Sequence, residues 1–193
     1  MKLFLIRHGQ TQANVDKVYA GQQDVPLTEE GRRQAKAIAP IIGNISFDRV
    51  YSSDLSRAVD TQKIALPNAE AIRTPLLREI SVGSIAGCAF GQIPGKEPGW
   101  MPSQSPSAYR EFGGEDQKML CDRIRKFLKE LEENPCDNVA AFVHNGIMGG
   151  MMTIVLNVDF DRSVLRTNNC GINVFDYDGT KWRLLAWNYK GDV

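Results

Sequence analysis

The sequence contains no apolar run approaching the roughly 18 residues a membrane-crossing helix requires, so no span is expected. It has no excess of either charge, since 23 basic residues balance 23 acidic ones. With a formal net charge of zero, no global field draws the chain to nucleic acid or a membrane surface. Any anion must therefore be held by a local pocket. The four cysteines, Cys88, Cys121, Cys136 and Cys170, form no Cys-x-x-Cys pair, and none has a histidine at zinc spacing. No secretory leader is expected either, because an apolar strand pattern begins at Leu3. The cysteines are accordingly expected to be reduced thiols in a cytoplasmic protein. No internal repeat or low-complexity stretch occurs, and there are only two histidines, His8 and His144.

What is present suits a single domain over residues 1–193, with hydrophobic content of 42%, enough for a substantial core. Leu3-Phe4-Leu5-Ile6 reads as a strand buried on both faces, and it stops abruptly at Arg7-His8-Gly9. A polar loop follows over Gln10–Pro26. Thr28 is placed to cap a helix running to about Ile42, with Glu29 and Glu30 in its first turn and Gly43-Asn44 at its end. Phe47–Ser52 reads as a second strand, and Ser53-Asp54 as the start of a second helix whose first turn contains Arg57. Ala71–Leu77 reads as a third, less regular strand ending near Glu79.

The stretch from Gly83 to about Ser107 is rich in Gly and Pro and is the best candidate for a substrate-facing lid, an insertion around residues 83–110. Trp100, Met101 and Tyr109 are read as core plugs in preference to a substrate wall. Gly113-Gly114-Glu115 precedes a long helix to about Glu133. Its stripe, Leu120, Ile124, Phe127, Leu128 and Leu131, is core. Its charged side, which includes Lys118, Asp122, Arg123 and Lys126, is expected to face solvent. Asn138–Val143 is another buried strand and ends at His144-Asn145-Gly146, with a helix at about Ile147–Leu156. Ile172–Asp176 and Trp182–Trp187 flank Asp178-Gly179, a hairpin signal. The alternation predicts a three-layer αβα sandwich on a mostly parallel sheet with a C-terminal antiparallel hairpin.

Both histidines follow buried strands, and Arg7 and Arg57 occupy equivalent strand-end positions. Parallel strands would bring all four to one edge of the sheet, where open α/β sheets bind ligands. Two guanidinium groups and two imidazoles suit a phosphoryl group, whose spreading negative charge they would hold in the transition state. Neighbouring arginines would keep His8 neutral and able to attack phosphorus. A leaving alkoxide needs a proton, and Glu79 is the best-placed carboxylic acid.

These residues sit in motifs that resemble the histidine phosphatase superfamily, the phosphoglycerate mutase-like proteins. Arg7-His8-Gly9-Gln10-Thr11-Gln12-Ala13-Asn14 is similar to its RHGETxxN signature. Asp24-Val25-Pro26-Leu27-Thr28 with Gly31, Tyr51–Ala58 with Thr61, Leu77–Glu79 with Gly83 and Gly87, Gly113–Glu115, and Val143–Gly146 resemble further motifs, in order, across essentially the whole chain. The resemblance implies that His8 is phosphorylated, that Arg7, Arg57 and His144 bind the phosphoryl group, and that Glu79 donates the proton. It implies that Asn14, Gly21 and the backbone N–H of Asn145 line the site. It implies no metal and no cofactor. The partner it implies is a small phosphorylated metabolite, with no nucleic acid and no membrane, and a homodimer is left open. Three departures bear on specificity: Gln10 for the usual Glu, Asn145 for a glycine, and Ile85-Ala86-Gly87 for Trp-Glu-Gly.

The expected activity is a metal-independent phosphomonoesterase. A mutase of the phosphoglycerate type is the first alternative, and a more specific phosphatase such as an α-ribazole phosphatase is another. Family mutases carry more basic residues after the glutamate, whereas Ile80–Ser107 contains only Lys96. A non-catalytic binding module would have lost His8, Glu79 or an arginine, and all are present.

Overall fold

A computed structural model describes residues 1–101, 109–157 and 167–189. The strands are β1 (Lys2–Arg7), β2 (Arg49–Ser53), β3 (Ile72–Thr74), β4 (Asn138–Val143), β5 (Ile172–Tyr177) and β6 (Trp182–Tyr189). They form one sheet in the order β3-β2-β4-β1-β5-β6. The first four are mutually parallel, and β5 and β6 run antiparallel at one edge. The helices are α1 (Gln12–Val15), α2 (Glu29–Ile42), α3 (Ser56–Ala65), α4 (Gln117–Glu133) and α5 (Asn145–Leu156).

The continuous apolar runs of β1 and β4 are explained by burial on both faces. Leu3, Leu5, Val139, Ala141 and Val143 point into the core shared with α4 and α5. Phe4, Ile6, Ala140 and Phe142 point into a second core under α2 and α3. Two apolar layers on one sheet produce the expected sandwich. The α2 cap forms as its residues predict, with the Thr28 hydroxyl accepting from Gly31 N.

Several boundaries move. The second helix does not begin at Ser53-Asp54 but at Ser56, because Asp54 is drawn into a bidentate pair with Arg78. The third strand is three residues long, and a 3-10 turn, Pro75–Leu77, separates it from Glu79. Part of the expected Gln10–Pro26 loop is the single-turn helix α1, closed by reciprocal bonds between Thr11 and Asn14. Residues 102–108 of the lid-like stretch lie outside the described residues. No helix among the described residues is long and apolar enough to cross a membrane, and all four cysteines are free.

Candidate active site

Sheet register brings the two histidines together. Arg7 pairs with Val143 across the parallel β1–β4 ladder, and His8 N donates to Val143 O at 2.9 Å. His8 and His144 thus leave adjacent strand ends side by side, with ring centroids 5.2 Å apart. The turn after β1 also packs backbone to backbone against the start of α2. A Cβ on Gly9 would lie 2.4 Å from Gly31 O, and one on Gly31 would lie 2.1 Å from Gln10 O. Only glycine at both positions permits that approach.

Hydrogen bonds assign opposite tautomers to the imidazoles. His8 Nδ1 lies 2.7 Å from Gly9 O, and a carbonyl can only accept, so Nδ1 carries the proton. The free lone pair of His8 is then on Nε2. His144 Nδ1 instead accepts from Arg57 Nε at 3.2 Å, so its proton is on Nε2. That Nε2–H is buried without an acceptor among the described residues, and Arg7 Nε is likewise without a partner there. Burial, reinforced by Arg57 and Arg7, holds the His8 pKa well below its usual range. The same desolvation and Arg57 lower that of His144.

Arg57 is 1% exposed and donates to the carbonyls of Gln23 and Gly21 at 2.7 and 2.8 Å. These bonds consume carbonyl oxygens and no carboxylate, so its charge stays available to a ligand. Arg7 is aligned by Thr167 O. Desolvation lowers the pKa of both guanidinium groups, and the Glu79 charge opposes that shift.

Glu79 is held by two backbone donors. Its Oε1 accepts from Ile80 N and Gly146 N, both at 2.8 Å. A Cβ on Gly146 would sit 2.1 Å from that oxygen, so glycine is needed there for the carboxyl group to dock. Oε2 is left to exchange a proton. Arg7, His8, Asn14, Gly21, Arg57, Glu79 and Asn145 line one cavity of about 430 Å³, and His144 abuts it through His8 and Arg57. Met101 and Tyr109 are also on its wall, the reading placed second to core, although Tyr109 belongs to the core as well, whereas Trp100 packs against Phe112.

Other expectations need correction. Arg123 is not on a solvated face: its side chain is 15% exposed, and it pairs with Glu115 at 2.8 Å. It also donates to the carbonyls of Leu76, Arg78 and Glu79. Glu115 in turn accepts from Ser81 N. Arg123 thereby ties α4 to both sides of Glu79. Gln10 faces away from the cavity, where its Oε1 accepts from the Thr28 hydroxyl, so exchange with Glu alters the α2 cap more than the pocket. Ile85 is buried, and Ile85, Ala86 and Gly87 are absent from the cavity wall. Asn169, unnoticed in the sequence, donates to both His8 O and Asn14 Oδ1. Arg123 could have been suspected only from its motif neighbour Glu115, because helical periodicity alone puts it outside.

Arg123→Met should therefore lower urea-unfolding stability by about 2–3 kcal/mol, since three carbonyls and Glu115 lose a charged donor. It should reduce kcat more than it raises KM, because the displaced group is Glu79. A stability loss with unchanged kcat would leave Arg123 a purely structural residue.

The arrangement can hold a tetrahedral anion between two guanidinium groups and an imidazole N–H, with a basic ring nitrogen and a carboxyl oxygen available for bond making and proton transfer. Several known proteins are similar to this chain over nearly its whole length. A curated relative described as a probable phosphoglycerate mutase, from Salmonella choleraesuis, is 29% identical over 201 residues, covering 100% of this chain and 94% of the relative. A solved mycobacterial glucosyl-3-phosphoglycerate phosphatase, in complexes with VO3, superposes with a TM-score of 0.83 at 26% identity, over 98% of this chain and 99% of that one. A structure described as mycobacterial hydrolase 1 gives 0.87 at 28% identity, over 97% and 98% of the two chains. The sequence matches the family description over residues 3–190, and the chain belongs to the histidine phosphatase superfamily (branch 1).

Proposed function

We propose that this protein is a metal-independent phosphomonoesterase that works through a phosphohistidine on His8. The observation that carries the proposal is the tautomer of His8: its proton is held by Gly9 O, so the nitrogen left with a lone pair is Nε2. In the first step Nε2 attacks phosphorus while Arg7, Arg57 and the His144 Nε2–H hold the equatorial oxygens. The bond to the ester oxygen breaks, and Glu79 Oε2 delivers a proton to it. In the second step the same carboxylate takes a proton from water, which attacks phosphorus and frees the imidazole. The two arginines supply the positive charge that a metal provides in other phosphatases.

A mutase would need to exclude water and grip a second anionic group. Lys96, the cation of the loop, is committed elsewhere: its Nζ bonds Glu111 at 2.6 Å and lies 4.7 Å from the Trp100 ring centroid. Among the described residues, no cation besides Arg7 and Arg57 lines the cavity. Both features favour water as the acceptor, and they weigh against carrying over the mutase description of the relatives.

Release of inorganic phosphate from a panel of metabolite phosphates is the direct test. Turnover should persist in EDTA. The acidic limb of kcat/KM should lie below pH 6.5, because His8 must be unprotonated and its environment holds its pKa well below that value. An activity lost to chelation and restored by Mg²⁺ would overturn the mechanism. Transfer to glycerate in preference to water would replace hydrolase with mutase.

A further inference from the structure

We propose that the alcohol half of the substrate is neutral and carries an apolar, flat group, so that the protein prefers phosphomonoesters of ring-bearing alcohols to phosphorylated carboxylic acids. The proposal takes its chemistry from the phosphomonoesterase reading but its content from a different part of the cavity. At about 430 Å³ the cavity falls in the range that encloses drug-sized ligands, well beyond what a phosphoryl group fills. Away from the arginines its wall is made by Tyr19, Val82, Phe90, Met101 and Tyr109.

That wall is built. Tyr19 N donates to Cys88 O, Gly87 N to Tyr19 O, and Phe90 N to Lys17 O, each at 2.8 or 2.9 Å. This short ladder fixes two rings beside each other. The Tyr19 and Phe90 centroids are 4.5 Å apart, and Tyr109 lies 6.4 Å from Tyr19. The Tyr19 hydroxyl is directed at Met101 Sδ, 3.5 Å away, so the phenol presents ring more than donor. Phe90 remains 44% exposed although its backbone is held in the ladder. An aromatic ring kept open at the mouth of a phosphate site is a surface for another flat group.

Charge points the same way. Among the described residues, the cations on the cavity wall are Arg7 and Arg57, both at the phosphoryl end, and the anion is Glu79. A carboxylate on the alcohol would be stripped of water against apolar side chains, with no third cation among the described residues to receive it. The uncharged amides of Asn14 and Asn145 can serve a hydroxyl but do not replace a counter-ion.

The test uses phosphonates, which the enzyme cannot cleave. By titration calorimetry, 2-phenylethylphosphonate should bind about tenfold to a hundredfold more tightly than 3-phosphonopropanoate, the range expected for burying one ring. Phe90→Ala, a change on a half-open surface, should shrink that preference several-fold. Equal or tighter binding of the carboxylate, failure of both phosphonates to bind, or a preference untouched by Phe90→Ala would each overturn the proposal. Hydrolysis of 2-phenylethyl phosphate is measured alongside. A binding preference without phosphate release would sink the hydrolase reading and leave the inference about the wall standing.

Discussion

His8→Ala is expected to abolish turnover, with kcat falling by on the order of 10⁴-fold or more, as for other deleted nucleophiles. Wild-type enzyme mixed with substrate and quenched without acid should show the mass of one added phosphoryl group on the peptide containing His8, and the variant should show none. The assignment rests on hydrogen-bond chemistry, since both rings lie at the same sheet edge. His8 Nδ1 is tied to Gly9 O, which frees Nε2 to attack, whereas the His144 lone pair is occupied by Arg57 Nε. An attack by His144 would require breaking that bond and leaving a buried guanidinium N–H unpartnered. His144→Ala should consequently weaken phosphoryl binding and slow turnover while still allowing the adduct on His8. A label on the His144 peptide would reverse the two roles.

Glu79→Gln should discriminate between leaving groups. Cleaving an alkyl phosphate expels an alkoxide, which needs a proton as the bond breaks, whereas a nitrophenolate is stable without one. General acid catalysis contributes roughly 10²–10⁴-fold where it is needed. The variant should lose about that factor on alkyl phosphates and far less on p-nitrophenyl phosphate. The substitution is conservative, because an amide oxygen can still accept from Ile80 N and Gly146 N, the two bonds that orient the native side chain. Loss of position is thus separated from loss of the proton. Equal losses on both substrates would remove Glu79 from the acid role. The carboxylates to test next are already engaged: Asp24 accepts from Ser56 N at the start of α3, and Glu115 is paired with Arg123. Neither lines the cavity.

Much of the architecture was legible in the residues themselves. A strand buried on both faces must be apolar throughout, so Leu3–Ile6 and Asn138–Val143 declared themselves, and each ended in a histidine. The α4 stripe and the Asp178-Gly179 turn were equally local signals, one of period and one of turn chemistry. The motifs around Arg7, Arg57, Glu79 and His144 pointed to a candidate site because each motif is contiguous in the chain. The structure brings Arg7, Arg57 and Glu79 to one cavity, with His144 behind His8 and Arg57, which follows once the strands that precede them are parallel neighbours.

Tertiary structure alone decided which atoms are free to act. The tautomers of His8 and His144 depend on Gly9 O and on Arg57, the latter 87 residues from its partner, and no sequence pattern reports a hydrogen bond at that separation. The same holds for Gly146 beneath Glu79 and for Gln10, whose amide turns to Thr28 and away from the pocket. Arg123 shows the limit most clearly. Periodicity assigns a residue to one side of its helix, but it cannot say whether that side meets water or a neighbouring loop. Here the loop around Glu79 lies against it, and the carbonyls of Leu76, Arg78 and Glu79 take the guanidinium out of solvent.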